Sequence, residues 1–396
     1  MDNEDGKVPG KRFAFISSNF TWGGSEILWS EAAATLARRG HKVWIYKNRL
    51  NPAEGNVARL RELGVKRIEL AHFPFLPNKL YSFVAMFTPY LSVVYQAMRL
   101  HVALRLRGKV DLVVISQGGN HDGWLLASVC RRMKVPYVLI CQKATDLYWP
   151  QDKWLPAVRA IYEEALHAFF VSAHNLRLTE EQIGRRLPRA SVVRNPFLVP
   201  WDAAPAWPDE EEGIAFACVG RLYPKEKGQD IVLRVLASEK WRARPVRVTF
   251  YGAGEQREGL EAMAAYHGLS NVAFAGYEDD VQAIWARHHA LLLPSRAEGL
   301  PLVLVEAMLC GRVAVVTDVA GNAEVVDDGA TGFVADAAAE RSFDEAMERA
   351  WQRRREWREI GAEAARRIRT LVPSDPPAAL CETLLRLAGE ASPRRG

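Results

Sequence analysis

Short, nearly uninterrupted apolar runs recur along the chain, separated by longer stretches in which apolar residues return at helical spacing. Runs that are apolar throughout suit strands buried on both faces, and the alternation with helical stretches predicts parallel sheets covered by helices. In the first half the strand-like runs are 12–17, 42–46, 67–70, 111–116, 137–141 and 168–171. A second series covers 214–219, 246–251, 272–275, 290–293 and 313–317. The helix after the first run is bounded by Ser25 as a cap and Gly40 as its stop. Near the C-terminus, ERAWQRRREWREIGAEAARRIRT predicts helices with a solvated arginine-rich face and apolar residues packed inward.

Between the two series lies PFLVPWDAAPAWPDEEEG, whose four prolines suppress helix and strand and mark a linker. The chain of 396 residues is long enough for two domains. They are expected at 1–198 and 199–396, with the last helices able to pack back on the first. With 49% hydrophobic and 25% charged residues, each can bury a core. The net charge of +5 favours anionic ligands or an anionic membrane surface but does not require nucleic acid, and no nucleic-acid-binding signature is present. The five cysteines are odd in number and far apart, which fits neither a disulfide framework nor a metal site. With a polar N-terminus that lacks a signal-peptide core, they point to the cytoplasm.

Residues 80–98 carry no charge, and Arg99, Arg105, Arg107 and Lys109 follow. Pro89, Gln96 and several hydroxyl residues dilute the run, which argues against a membrane span. A helical pair packed on its own domain and a peripheral surface that meets anionic lipid through 80–109 both remain open.

The candidate chemistry lies in loops that follow strands, where open parallel sheets bind ligands. Asn19 to Glu26 (NFTWGGSE) holds Gly23 and Gly24 before a helix; it reads equally as a phosphate loop or a tight turn. VGRLYPKEKGQD, 219–230, places Arg221, Lys225 and Lys227 around a turn where cations could stabilise a departing diphosphate. PSRAEGLPLVLVE, 294–306, sets Glu298 before a helix and Glu306 inside it, eight residues on. A helix start attracts anions, and carboxylates on either side of a bound phosphate can take hydroxyls. YGAGEQREGL resembles a dinucleotide fingerprint, but Arg257 stands at the third glycine position and the motif follows the second strand of its domain; it reads as a turn lining a cleft. His121, in SQGGNHDGW past a strand, is either a cleft group or a partner in local hydrogen bonds. His288 and His289 read as structural. Neither a metal nor another cofactor is expected.

Taken in order, these residues resemble retaining glycosyltransferases of family 4. The matches are Gly23-Gly24, Val171-Ser172, Asn195-Pro196, Gly220-Arg221 with Lys227-Gly228, Tyr251-Gly252-x-Gly254, Phe274-Ala275-Gly276, Pro294-Ser295, Glu298 to Glu306 and Gly332-Phe333. The resemblance spans roughly 12–370 and is more specific in the second half. It implies an α/β fold of the GT-B type, two facing Rossmann-like domains with an interdomain cleft, the first binding acceptor and the second a UDP- or GDP-sugar. It further implies that Arg221 and Lys227 bind the diphosphate, that Glu306 takes the ribose hydroxyls, and that Glu298 faces the transferred sugar. Gly299, Leu300 and Leu302 would lie near sugar and phosphate, Gly276 and Tyr277 near the base, Gly23 and Gly24 at a phosphate, and His121 near the anomeric carbon. The sequence departs from the family in having Ala320-Gly321 where two glycines usually precede a third glutamate, here Glu324. An NAD-dependent oxidoreductase and a non-catalytic sugar-nucleotide-binding subunit are the alternatives from other classes. The sequence leaves sugar, base and acceptor open, with polysaccharide, lipopolysaccharide, glycolipid and small-molecule acceptors all possible.

Overall fold

The computed structural model describes residues 10–19, 22–51, 55–70, 89–211 and 213–391. The uncharged segment before residue 89, and Phe20 and Thr21 of the first glycine loop, lie outside the described residues. The chain forms two compact units, 1–196 with 375–396, and 197–374.

Unit 1 is built on β1 Arg12–Ser17, β2 Lys42–Lys47, β3 Lys66–Glu69, β4 Leu112–Gln117, β5 Tyr137–Cys141, β6 His167–Phe170 and β7 Ala190–Val192, in the spatial order β3-β2-β1-β4-β5-β6-β7. The described pairs are parallel. Central strands read as continuous apolar runs because helices cover both faces: β4 and β5 are buried along their whole length. The helices α1 Gly24–Arg38, α2 Gly55–Glu62, α3 Pro89–Leu106 and α4 Trp124–Arg132 lead from one strand to the next. The last helix, Pro376–Glu390, belongs to this unit. Its Leu380, Cys381 and Leu384 share a core with Leu28, Ala32 and Leu36 of α1, and Cys381 Sγ reaches Ala32 O at 3.3 Å.

Ser25 does not cap α1. Gly23 is the N-cap, without a side-chain hydrogen bond, because Ser25 already lies inside the first turn. Its hydroxyl instead accepts from Asn19 Nδ2 at 3.1 Å.

Unit 2 holds β8 Ile214–Val219, β9 Val246–Tyr251, β10 Val272–Gly276, β11 Ala290–Leu293, β12 Val313–Thr317 and β13 Phe333–Ala335, in the order β10-β9-β8-β11-β12-β13, again parallel. Helix α5, Leu302–Leu309, follows β11. The proline-rich stretch has neither helix nor strand among its described residues, as expected, yet it is not a free tether. Arg312, 3% exposed, donates to the carbonyls of Pro205 and Ala206 as well as to those of Trp285, His288 and Cys310. Arg369 donates to Trp201 O at 2.9 Å. These guanidinium groups satisfy carbonyls that a proline-rich chain cannot place in a ladder, so the stretch is part of unit 2.

His288 and His289 are structural, as the sequence suggests. His289 Nδ1 accepts from Ala215 N at 3.0 Å, His288 Nδ1 lies 2.8 Å from Ile284 O, and burial pushes His288 down to about 4. All five cysteines are buried free thiols. Among the described residues no helix is long and apolar enough to cross a membrane.

Candidate active site

Each sheet reverses its winding once. In unit 2 the chain runs outward from β8 through β9 to β10, then returns beside β8 as β11. The crevice beyond the carboxyl ends of β8 and β11 is therefore the switch point where such sheets bind ligands. The loops that carry Arg221, Lys227 and Glu298 are the ones that leave these two strands.

Close backbone contacts fix the β8 loop from both sides. Gly228 has φ +66°, and a Cβ there would lie 2.0 Å from Pro294 O in the β11 loop. Gly252, φ +131°, lies against Gly220, where a Cβ would fall 2.2 Å from its carbonyl oxygen. Only glycine fits either place. The turn itself is a short helix, Pro224–Lys227, whose Glu226 O accepts from Arg296 N at 2.7 Å and Ala297 N at 3.1 Å. Arg296 clamps the same turn through Asp230 and Pro224 O, each at 2.7 Å.

This framing brings Lys227 and Glu298 together: Nζ and Oε1 are 2.5 Å apart. Ser295 Oγ donates to the same oxygen at 2.8 Å, while Ser295 O accepts from Thr317 Oγ1 at 2.6 Å. Glu298 is 6% exposed, whereas 24% of the Lys227 side chain remains open. Arg221 is more open, with its side chain 58% exposed. It lies over the Tyr223 ring and 3.2 Å from Glu226. A cation that is held by one acid and still reachable can turn to an incoming anion.

Glu306 stands one turn inside α5, 4% exposed. Its carboxylate accepts from the Leu198 backbone N–H at 2.9 Å, and burial pushes the carboxyl up to about 7. The backbone of Gly299 is fixed by Gly321 N, which donates to its carbonyl at 2.9 Å. Leu300 is buried, and Leu302 opens α5. Gly276 ends β10 and accepts from Gly252 N at 2.6 Å; Tyr277 beside it is 74% exposed. Ala320, at the position where the sequence departs from the family, takes φ +52°, a left-handed backbone that costs an L-residue on the order of 1 kcal/mol.

Unit 1 has its own switch point, between β1 and β4. Ser18 N donates to Ser116 O at 3.0 Å across it, and Ser18 Oγ donates to Asp122 Oδ1 at 2.8 Å. The loop carrying Gly23 and Gly24 and the loop carrying His121 leave these two neighbouring strands. His121 is half-buried, its Nδ1 3.0 Å from Asn120 Oδ1, and burial lowers its pKa, which favours a neutral ring at pH 7. Under the glycine loop lies a buried ion pair, Lys47 Nζ to Glu26 Oε2 at 2.7 Å, with side chains 1% and 0% exposed. Ser17 Oγ and Asn19 Nδ2 donate to Glu26 Oε1 at 3.0 and 2.8 Å, and Lys47 Nζ donates to Asn19 O at 2.6 Å.

Comparison with known proteins bears on this arrangement. Residues 213–353 match the family model described as Glycosyl transferases group 1. The chain is 30% identical over 145 residues to a glycogen synthase of Pseudomonas syringae pv. syringae, which covers 36% of this chain and 30% of that protein. It is 28% identical over 256 residues to a GDP-mannose-dependent alpha-(1-6)-phosphatidylinositol monomannoside mannosyltransferase of Mycolicibacterium smegmatis, covering 59% and 65% of the two. The chain thus spans about 30% of the length of the glycogen synthases it matches. Among solved structures it superposes on Anabaena HepE in complex with UDP and glucose with a TM-score of 0.73, at 17% identity over 95% of this chain and 99% of that one. For sucrose-phosphate synthase of Thermosynechococcus elongatus the TM-score is 0.75, at 16% identity over 96% and 100%. The fold is therefore α/β of the GT-B class, with two Rossmann-like parallel sheets.

Arg221 and Lys227 thus share one loop, and Lys227, Ser295 and Glu298 meet in space. Several participants escaped the sequence reading. Glu226, within the charged 219–230 loop, is buried against Arg221. Lys47 directly follows the apolar run 42–46 and is itself the buried last residue of β2. Its partner lies in a distant helix, and nothing local signals the pair.

Proposed function

We propose that this chain is a retaining glycosyltransferase that moves a sugar from a UDP- or GDP-sugar to a hydroxyl acceptor. The observation that carries the proposal is the Lys227–Glu298–Ser295 cluster at the unit 2 switch point, with a buried carboxyl at Glu306 on the following helix. The group 1 family match over 213–353 and the nucleotides named for the similar proteins, GDP-mannose for one and UDP for another, support the same reading.

In this reading Arg221 and Lys227 receive the diphosphate. Lys227 leaves Glu298 as the anion arrives, and Glu298 is released to accept from hydroxyls of the sugar. Glu306 takes the ribose, and exposed Tyr277 lies flat against the base with Gly276 leaving room for it. Gly299, Leu300 and Leu302 offer backbone N–H groups at the start of α5, where anions are stabilised. The acceptor hydroxyl attacks on the face the diphosphate leaves, and a phosphate oxygen helps take its proton. The chain supplies position and charge stabilisation rather than a nucleophile. No metal and no other cofactor takes part.

Gly23 and Gly24 belong to the phosphate contact. At φ −160° Gly23 has extended backbone open to any residue, and among the described residues a Cβ would meet nothing within 4 Å. The fold does not demand glycine there, whereas a ligand approaching the backbone would. His121 is assigned to the sugar side, near the anomeric carbon. Cell-surface polysaccharide, lipopolysaccharide or glycolipid synthesis on the cytoplasmic side of a membrane, with peripheral contact through 80–109, completes the proposal.

The test is release of nucleoside diphosphate from a panel of UDP- and GDP-sugars. Lys227→Met should lower that rate on the order of 100-fold, the scale of losing one charge-stabilising group. A rate equal to the parent's would remove the diphosphate role.

A further inference from the structure

The edge of the unit 1 sheet carries a concavity of about 520 Å³ that shares no residue with the candidate active site. Arg61 comes from the last turn of α2, Lys66 and Arg67 open β3, and Arg107 lies just past α3. Its floor is apolar, from Leu50 and Val65, which are 7% and 5% exposed. One carboxylate, Glu69, reaches the lining, and it already accepts from Leu50 N at 3.1 Å. A smaller neighbouring depression of about 300 Å³ is shared by Arg61 and Arg67, with Glu62 at its side.

Several arginines elsewhere in the chain are neutralised by a nearby acid: Arg59 by Glu31, Arg131 by Glu164, Arg244 by Glu348, Arg296 by Asp230. Among the described residues, none of Arg61, Lys66, Arg67 and Arg107 has a carboxylate within 4.0 Å. Arg67 and Arg107 are half-buried, so they have given up part of their hydration without gaining an acid. Like charges gathered in one concavity repel and weaken the folded state unless an anion joins them. Guanidinium forks match phosphate oxygens two at a time, and an ammonium adds a further donor.

We propose that this concavity is a binding site for a phosphate-bearing ligand, held by Arg61, Lys66, Arg67 and Arg107. Among the described residues β3 is the terminal strand of its sheet, so the site lies at an edge, where either a soluble phosphate or a lipid headgroup can approach. The inference stands apart from the donor reading, because none of its residues takes part in that reading.

The test uses glycerol phosphate, followed by ³¹P NMR titration at low salt, and sedimentation with phosphatidylglycerol or phosphatidylcholine vesicles. The altered proteins are Arg61→Gln/Arg67→Gln/Arg107→Gln and, as a control for the donor diphosphate site, Lys227→Ala. The triple variant should bind at least about 10-fold more weakly, while Lys227→Ala retains this site. Binding should also weaken with added salt in the parent more than in the triple variant. Sedimentation with phosphatidylglycerol vesicles that the triple variant loses identifies a lipid headgroup. Glycerol phosphate binding without sedimentation identifies a soluble ligand. The proposal fails if the parent binds neither probe, or if the triple variant binds both as the parent does.

Discussion

Glu306→Gln separates stability from function at the candidate site. The carboxyl is 4% exposed, and burial raises its pKa from 4.5 to about 7. In the unfolded chain the group ionises first, so between those values the unfolded state binds fewer protons and stability falls as pH rises. The cost is absent below about pH 4.5 and complete above about pH 7, where it reaches about 3 kcal/mol. Glutamine keeps the shape and an oxygen for the Leu198 N–H but cannot ionise. The stabilisation of the variant over the parent should therefore grow by about 2–3 kcal/mol between pH 5 and pH 8. At about 2–4 °C per kcal/mol, that is a widening of roughly 5–10 °C in Tm, read by scanning calorimetry without ligand. Donor affinity should move the other way, about 10-fold weaker, because a carboxylate accepts hydroxyls more strongly than an amide does. A constant Tm offset across that pH range would refute the desolvation argument. A stabilised variant that binds donor as well as the parent would refute the ribose role.

Four further outcomes follow from the same geometry. Gly23→Ala should leave Tm within about 1 °C, since the backbone there tolerates any residue, yet lower kcat/KM with nucleotide-sugar; equal loss of Tm and activity would make the glycine structural. Lys47→Met should cost about 3–5 kcal/mol by stranding Glu26, measured by urea unfolding. Glu26→Leu with Lys47→Met should recover most of the stability but not the parent KM, because Asn19 loses its anchors; full recovery of both would show that the pair does not position the loop. Ala320→Gly should raise Tm by about 2–4 °C by relieving the left-handed backbone, and an unchanged or lower Tm would show that the strain is already accommodated.

The strands that the apolar pattern locates well are the central ones, because burial on both faces leaves little room for a polar residue: 137–141 and 290–293 coincide with β5 and β11. β7 and β13 are three residues each, and such short edge strands carry too little pattern to register. The functional loops were legible where glycine, proline and charge cluster within a few residues, as in 219–230 and 294–306. What stayed hidden depends on contacts between distant segments: Lys47 with Glu26, Asp122 with Ser18, and Arg312 with the carbonyls of the proline-rich stretch. The cap of α1 was misplaced because Ser25 is a good capping residue in type. The cap position falls at Gly23 and the helix begins at Gly24, so the serine lies two residues too far inside.

The account rests on a nucleotide-sugar site made by Arg221, Lys227, Glu298 and Glu306. Calorimetric titration of the parent and of Glu306→Ala and Lys227→Ala with UDP- and GDP-sugars tests it most directly. The account predicts one donor site on the parent, weakened at least about 10-fold in each variant. Failure of every such donor to bind the parent, or binding that survives both substitutions unchanged, would contradict it.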